Sequence, residues 1–194
     1  MAAKTKSKTK AKPKTAKKTA KKVAKKPVKK AAAKPAKTGS PAKSLLGKPA
    51  PNFTMPTDGG GSVSLKDLRG KKVVLYFYPK DDTPGCTAEA CDFRDGQRHF
   101  KASDAVVIGV SKDNVASHQK FKKKFELNFP LASDDSKVCE AYGVGKEKSM
   151  YGRKYMGVER STFIIDKGGI VRAEWRKVSV PGHAVEVAKA LQAL

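Results

Sequence analysis

The sequence has no apolar run approaching the roughly 18–20 residues that a membrane span needs. Its best candidate, Val73 to Tyr78, has only the length of a strand. Cysteine is scarce as well: there are three, an odd number and too few for a secreted disulfide framework. A zinc site is not expected, because Cys86, Cys91, Cys139 and three scattered histidines show no CxxC pairing. Nor is a secretory signal expected, since lysines every two to four residues leave no room for an apolar h-region. The sharpest absence lies at one end: residues 1–43 contain no Asp, Glu, Arg, Phe, Tyr or Trp, but 17 lysines. The 194-residue chain carries 42 Lys+Arg against 18 Asp+Glu, a net charge of +24, so residues 44–194 keep 25 basic and all 18 acidic residues. The chain therefore reads as a soluble intracellular protein with a basic appendage of residues 1–43 and a globular part of residues 44–194. Any thiol chemistry in it is expected to be functional rather than structural.

The appendage is built almost entirely from Lys, Ala, Thr, Pro and Ser, with a four-residue repeat (TAKK, TAKK, VAKK, PVKK) between Thr15 and Lys30. Val23 and Val28 are its only sizeable apolar side chains after Met1, too few to offset the entropy of ordering. The repeat places like charges four apart, which repel along a free helix, and four prolines interrupt any helix that starts. The segment is expected to be a disordered tail. Its lysines, notably Lys17, Lys18, Lys21, Lys22, Lys25, Lys26, Lys29 and Lys30, form a counterion-releasing surface for nucleic-acid phosphates, with no means of reading bases. A solubilising or targeting role is the plainer alternative. A mitochondrial presequence would need arginines and an apolar helical face; for a plastid transit peptide, eight Ser/Thr before Leu45 speak in favour and the lysine density against. In composition the tail resembles those of linker histones and bacterial histone-like proteins.

From Leu45 the pattern becomes that of a folded domain. Val73–Tyr78 and Ala105–Val110 read as strands buried on both faces. A helix is expected from Cys86 to about Lys101, with Ala88, Cys91 and Phe93 inward, and another over Asn114–Leu127, where Phe121 and Phe125 lie one turn apart. Leu131–Ser133 reads as a short strand and Lys137–Tyr142 as a short helix. Ser161–Asp166 and Ile170–Val178 read as a hairpin about Lys167-Gly168-Gly169, and His183–Leu194 as the closing helix. This order of elements predicts an α/β architecture, a mixed central sheet flanked by helices, as in a thioredoxin-like fold.

The chemistry concentrates in residues 79–95, PKDDTPGCTAEACDFRD. Cys86 follows a buried strand and a Thr-Pro-Gly turn, in the first turn of the expected helix. There, unpaired backbone N–H groups and the positive end of the dipole favour a thiolate, the nucleophilic form of cysteine. Thr83 can present a hydroxyl to Cys86 or its substrate, and Pro79 can close the site against water without adding a donor. If residues 86–91 are helical, Cys86 and Cys91 stand about 8.6 Å apart at Cα and roughly 140° apart around the axis. A disulfide tolerates no more than about 7 Å. Either the pair never bonds, or the first turns unwind, which Gly85 and the Ala-rich stretch to Ala90 would permit. Cys139 reads as a core thiol, His99, His118 and His183 as surface or helix-packing residues, and Asp81 and Asp82 as turn formers. Tyr76 could line the pocket.

Pro79, Thr83 and Cys86 match the P-x-x-x-T-x-x-C pattern of the peroxiredoxins. The longer string DDTPGCTAEACDFRD resembles the bacterioferritin-comigratory-protein branch, also called peroxiredoxin Q. Tyr142-Gly143-Val144 and the stretch Arg160 to Asp166 extend the resemblance across residues 44–194. It departs at Gly145, where the family often has Trp, and in the tail. The resemblance implies an atypical two-cysteine peroxidase that reduces hydrogen peroxide and organic hydroperoxides. Cys86 would be the peroxidatic residue, Cys91 the resolving one, and Arg160 would complete the peroxide pocket beside Thr83 and Pro79. It also implies an intramolecular disulfide between Cys86 and Cys91, reduction by thioredoxin or glutaredoxin, no cofactor, and a monomer. The expected location is the cytoplasm, nucleoid-associated if bacterial, with the nucleus as alternative. A DNA-binding protein or a redox sensor carrying a slow peroxiredoxin domain is the competing reading.

Overall fold

The computed structural model describes residues 44–150 and 153–194, without the side chains of 147–155. The expected tail, with its eight candidate phosphate-binding lysines, lies outside the described residues. A short hairpin of β1 (Thr54–Pro56) and β2 (Ser62–Ser64) leads into β3 (Lys72–Phe77), α1 (Pro84–Asp95) and α2 (Gln97–Ala102). Then come β4 (Ala105–Ser111), α3 (Val115–Phe125), β5 (Leu131–Ser133) and α4 (Val138–Ala141). The chain continues through β6 (Gly145–Met150), β7 (Arg153–Val158), β8 (Ser161–Ile165), β9 (Val171–Arg176) and α5 (His183–Gln192). Among the described residues no helix is long and apolar enough to cross a membrane.

The central sheet has the order β5-β4-β3-β8-β9. β3 and β4 are parallel, as are β4 and β5, whereas β8 runs antiparallel to both β3 and β9. The continuous apolar run of β3 is explained by its place at the centre of this mixed sheet. Val73, Leu75 and Phe77 enter one core cluster, with Phe53, Met55, Val138, Tyr142 and Phe163. Val74, Tyr76 and Tyr78 enter the other, with Phe93, Phe100, Phe121, Val187 and Leu191. Successive residues of a strand point to opposite faces, so both faces must be covered. The N-terminal hairpin and α4 cover the first face; α1, α2, α3 and α5 cover the second.

Two expectations need correction. The single helix to about Lys101 is two helices, broken at Gly96, which adopts φ −77° and ψ −4° and both ends α1 and precedes α2. A Cβ there would stand 3.2 Å from the Asp92 carbonyl and 3.2 Å from the Phe100 ring, a tight fit that glycine avoids. Second, the inward face of α1 is Cys86, Glu89, Ala90 and Phe93; Ala88 is exposed and Cys91 only half-buried. With Cys86, Ala90 and Phe93 one and two turns apart, residues 88 and 91 fall roughly 140–160° away from that face at 100° per residue.

Candidate active site

The site is assembled by strand register. Phe77 near the end of β3 pairs with Ser161 at the start of β8, so the chain leaving β3 and the chain entering β8 share one edge of the sheet. The first becomes α1 and carries Cys86; the second carries Arg160.

α1 begins sharply. Thr83 is its N-cap in extended conformation (φ −98°, ψ 148°), Pro84 follows at a position where a missing N–H costs nothing, and the Thr87 N–H donates to the Thr83 carbonyl at 2.8 Å. The earliest N–H groups of the helix, including that of Cys86, have no partner within the helix by its geometry. The Thr83 side chain makes no capping bond; its hydroxyl donates to the Lys80 carbonyl at 3.1 Å rather than to Cys86. Pro79 stands exposed just past β3.

Cys86 is 2 % exposed. Nη2 of Arg160 lies 3.2 Å from its sulfur, and Nη1 of the same guanidinium donates to Oε2 of Glu89. Gly85 lies alongside this arm: a Cβ there would stand 3.4 Å from Nη2 of Arg160, in ordinary contact. Glu89 is itself 1 % exposed, and its Oε1 has no hydrogen-bond partner among the described residues. Burial pushes its carboxyl up to about 7, against the opposing pull of Arg160. For Arg160 burial works against the charge, yet Glu89 and Cys86 hold its affinity for a proton above the ordinary arginine range. Beneath the helix, Tyr76 stacks on Phe93 with ring centroids 4.7 Å apart. The Tyr76 hydroxyl is buried without a partner among the described residues. Burial, then the negative charges of Glu89 and Cys86, push its pKa well up. Tyr76 thus lies in the electrostatic field of Glu89 and Cys86, from within the core.

Cys91 shares the unbroken helix with Cys86, and all three cysteines are free thiols. Helix geometry holds the pair beyond disulfide reach while the helix stays intact. Cys139 is fully buried in the opposite core cluster, where burial and then the Asp134 carboxylate push its thiol far up. That agrees with a core role.

Among the histidines and aspartates, it is Asp81 that departs from the sequence reading. His99 is exposed, but His118 and His183 are 0 % and 3 % exposed and each has a specific polar partner. His183 Nε2 pairs with the Thr162 hydroxyl at 2.8 Å, and burial lowers its pKa to about 4, aided by Arg160. His118 pairs with Asp81, so Asp81 is a buried acceptor and not simply a turn former. Glu89 went unremarked in the sequence, although its i+3 spacing from Cys86 already put it on the same helix face. The hairpin of β6 and β7 was also not anticipated. Among the described residues its strands pair only with each other, and no long apolar run marks them.

Residues 46–174 match the AhpC/TSA family. A putative peroxiredoxin Bcp from Coxiella burnetii is 57 % identical over 143 residues, covering 73 % of this chain and 95 % of that protein. Peroxiredoxin Bcp from Bacillus subtilis is 54 % identical over 150 residues, covering 77 % and 94 %. Among solved structures, the bacterioferritin comigratory protein of Xanthomonas campestris superposes with a TM-score of 0.69 at 44 % identity, covering 73 % of this chain and 90 % of that one. A cysteine-to-serine mutant of PrxQ from Xylella fastidiosa gives 0.74 at 39 % identity, covering 79 % and 98 %. The fold is therefore the thioredoxin-like one expected from the element order. Since these relatives are spanned almost end to end, and the match begins only past the lysine-rich segment, the globular part sets the identity: the chain belongs to the peroxiredoxin family, in its Bcp/PrxQ branch, and is a thiol peroxidase.

Proposed function

We propose that Cys86 is the peroxidatic cysteine, Cys91 the resolving cysteine and Arg160 the residue that holds thiolate and peroxide together. The observation that carries this reading is the Arg160 Nη2 contact to the Cys86 sulfur at 3.2 Å in an almost sealed site. The guanidinium is always charged and its donors are fixed in one plane, so it favours the thiolate and then the charge that develops on the peroxide oxygens. The Cys86 thiolate attacks the terminal oxygen of a hydroperoxide and the O–O bond breaks. The sulfur becomes a sulfenic acid, and the departing oxygen takes up a proton to leave as water or an alcohol. Thr83 orients the substrate through the lone pairs its hydroxyl keeps free while donating to Lys80, and Pro79 shields the entrance.

Resolution requires α1 to unwind at its start. The Cys91 sulfur then attacks the Cys86 sulfenic sulfur, forming the disulfide and releasing water. A dithiol reductant, thioredoxin in first place and glutaredoxin in second, returns both sulfurs to thiols by exchange. Because both cysteines belong to one helix, the cycle needs one chain only, and the protein works as a monomer.

The lysine-rich segment of residues 1–43 binds nucleic acid non-specifically through phosphate contacts, which places the peroxidase at a bacterial nucleoid or, in a eukaryotic host, in the nucleus. Its 17 lysines against no acid support this reading. The test is thioredoxin-coupled peroxide consumption by the full chain and by a form beginning at Ser44, each with and without duplex DNA. Turnover by both forms, with steeply salt-dependent DNA binding by the full chain alone, is the expected result. Absence of turnover overturns the cysteine assignment, and absence of DNA binding near physiological salt leaves the segment as a solubiliser or address.

A further inference from the structure

The buried attachment of the loop between β3 and α1 to the body of the protein is at Asp81. Asp81, 7 % exposed, accepts on Oδ1 from the Tyr78 hydroxyl at 2.7 Å and on Oδ2 from the Ser117 hydroxyl at 2.7 Å. Nδ1 of His118 lies 2.9 Å from the same Oδ2. The Asp81 backbone N–H donates to Asp113 Oδ2 at 2.7 Å, and Asp113 is held by the Ser111 hydroxyl at 2.9 Å. One carboxylate thus ties the loop to the end of β3 and to the first turn of α3. The other nitrogen of His118 is buried without a partner among the described residues. Its pairing with Asp81 is therefore the principal polar bond that offsets burial of the ring.

Between Asp81 and Cys86 the hold is thin. Asp82 takes the left-handed region at φ 54°, a conformation that disfavours residues with a Cβ. Among the described residues its carboxylate meets only the exposed Lys124 ammonium, and the Thr83 hydroxyl reaches only the Lys80 carbonyl within the loop. Pro84, Gly85 and Ala88 are exposed. Firm packing resumes at Ala90 and Phe93, both 0 % exposed. Residues 82–89 therefore form a weakly held segment between two fixed points, and within it the main buried contacts are those of Cys86 and Glu89 with Arg160. Local opening is easiest where buried contacts are fewest.

We propose that the clasp of Asp81 by Ser117 and His118 is a positioning device for the peroxidase cycle. It keeps Cys86 under Arg160 in the reduced chain and confines unwinding to residues 82–89 once Cys86 is oxidised. The clasp touches neither peroxide nor sulfur; it acts through the loop. This rests on the assignment of Cys86 and Cys91 above. A loosened clasp favours the unwound form, so the two steps of the cycle should change in opposite directions: oxidation of Cys86 slows while disulfide formation quickens. A purely structural role would slow both steps or leave both alone.

The experiment is a single-turnover reaction of the full chain with hydrogen peroxide, quenched at intervals. Dimedone-trapped sulfenic acid and the Cys86–Cys91 disulfide are counted by mass spectrometry. In Asp81→Ala/His118→Leu, which removes the carboxylate and the imidazole together and takes the acceptor from the Tyr78 and Ser117 hydroxyls, oxidation should slow and disulfide formation should speed up, each by about 3- to 10-fold, an opening-equilibrium shift of ordinary size. Ser117→Ala removes one hydroxyl and no charge, and should show the same split at about 2-fold. It decides the matter should the double variant not fold. A wild-type disulfide together with variant phases that move in parallel, or not at all, overturns the clasp alone. A wild-type chain that consumes peroxide without forming that disulfide overturns the cysteine assignment and the clasp with it.

Discussion

Cys86 and Cys139 are buried to almost the same degree, at 2 % and 0 % exposure, and each stands in the first turn of a helix, yet their electrical surroundings are opposite. Cys86 faces the Arg160 guanidinium. Cys139 sits beside Asp134, whose carboxylate accepts from the N–H groups of Val138 and Cys139 at 2.8 Å each to begin α4. The carboxylate that caps this helix also opposes a negative sulfur next to it. Burial and a helix N-terminus are thus shared by both thiols, the one proposed as peroxidatic and the one in the core. What separates them is the sign of the nearest fixed charge, because the thiolate is the reactive species.

The bluntest way to break the comparison is to remove each sulfur in turn. Cys86→Ser should abolish peroxide turnover, whereas Cys139→Ala should retain it and lose about 1 kcal/mol or somewhat more of stability from the small cavity. Coupled turnover and thermal melts report the two effects separately. Removing the favourable charge comes next. Arg160→Met should lower the second-order rate constant with hydrogen peroxide by about 10²–10³-fold, the usual effect of losing one donor to a developing anion. Arg160→Lys should fall between, since a single ammonium cannot meet Glu89 and the sulfur with the same planar fork.

A smaller effect separates the two surroundings by pH. Glu89, the other partner of Arg160, holds its proton to about 7 in the folded chain against an ordinary 4.5. The folded chain therefore carries the extra proton between those values, and this carboxyl makes stability fall as pH rises through that window. His183 works the other way. Its folded value near 4 lies below the ordinary 6.5, so the unfolded chain carries the extra proton and stability rises with pH between them. The two slopes oppose each other in the wild type. Glu89→Gln removes the falling one, and its melting temperature should climb more steeply between about pH 4.5 and 6.5 than that of the parent. The least effect is expected from Asp134→Asn. Made in the Cys86→Ser background, it should cost about 1 kcal/mol of helix capping and restore no peroxide turnover. Recovered turnover would mean that the carboxylate alone keeps Cys139 silent.

How much of this was legible beforehand depended on whether the signal was local. The strands of the central sheet are apolar runs bounded by turn residues, so Val73–Tyr78 and Ser161–Asp166 were read to within a residue of β3 and β8. The Pro79, Thr83 and Cys86 spacing was equally local. The break at Gly96 was not legible, because its φ and ψ are ordinary helical values and one glycine within a helical pattern does not by itself end it. The burial of His118 was hidden for a different reason: its partner lies 37 residues away, and only the packing of α3 against the loop brings the two together. Ala88 misled because an alanine carries little information about which face of a helix is inside, whereas Phe93 does not share that ambiguity. The pairing of Cys86 with Arg160 came from resemblance rather than from spacing, since 74 residues separate them.

That separation also sets a schedule. During synthesis the thiol leaves the ribosome long before the guanidinium that faces it, and the two meet only after β8 has docked against β3 in the register Phe77 to Ser161. At roughly 5–20 residues per second the delay is about 4–15 seconds. For that interval the newborn chain carries Cys86 without the guanidinium that faces it, and the thiol gains that neighbour only when the β3–β8 pair closes.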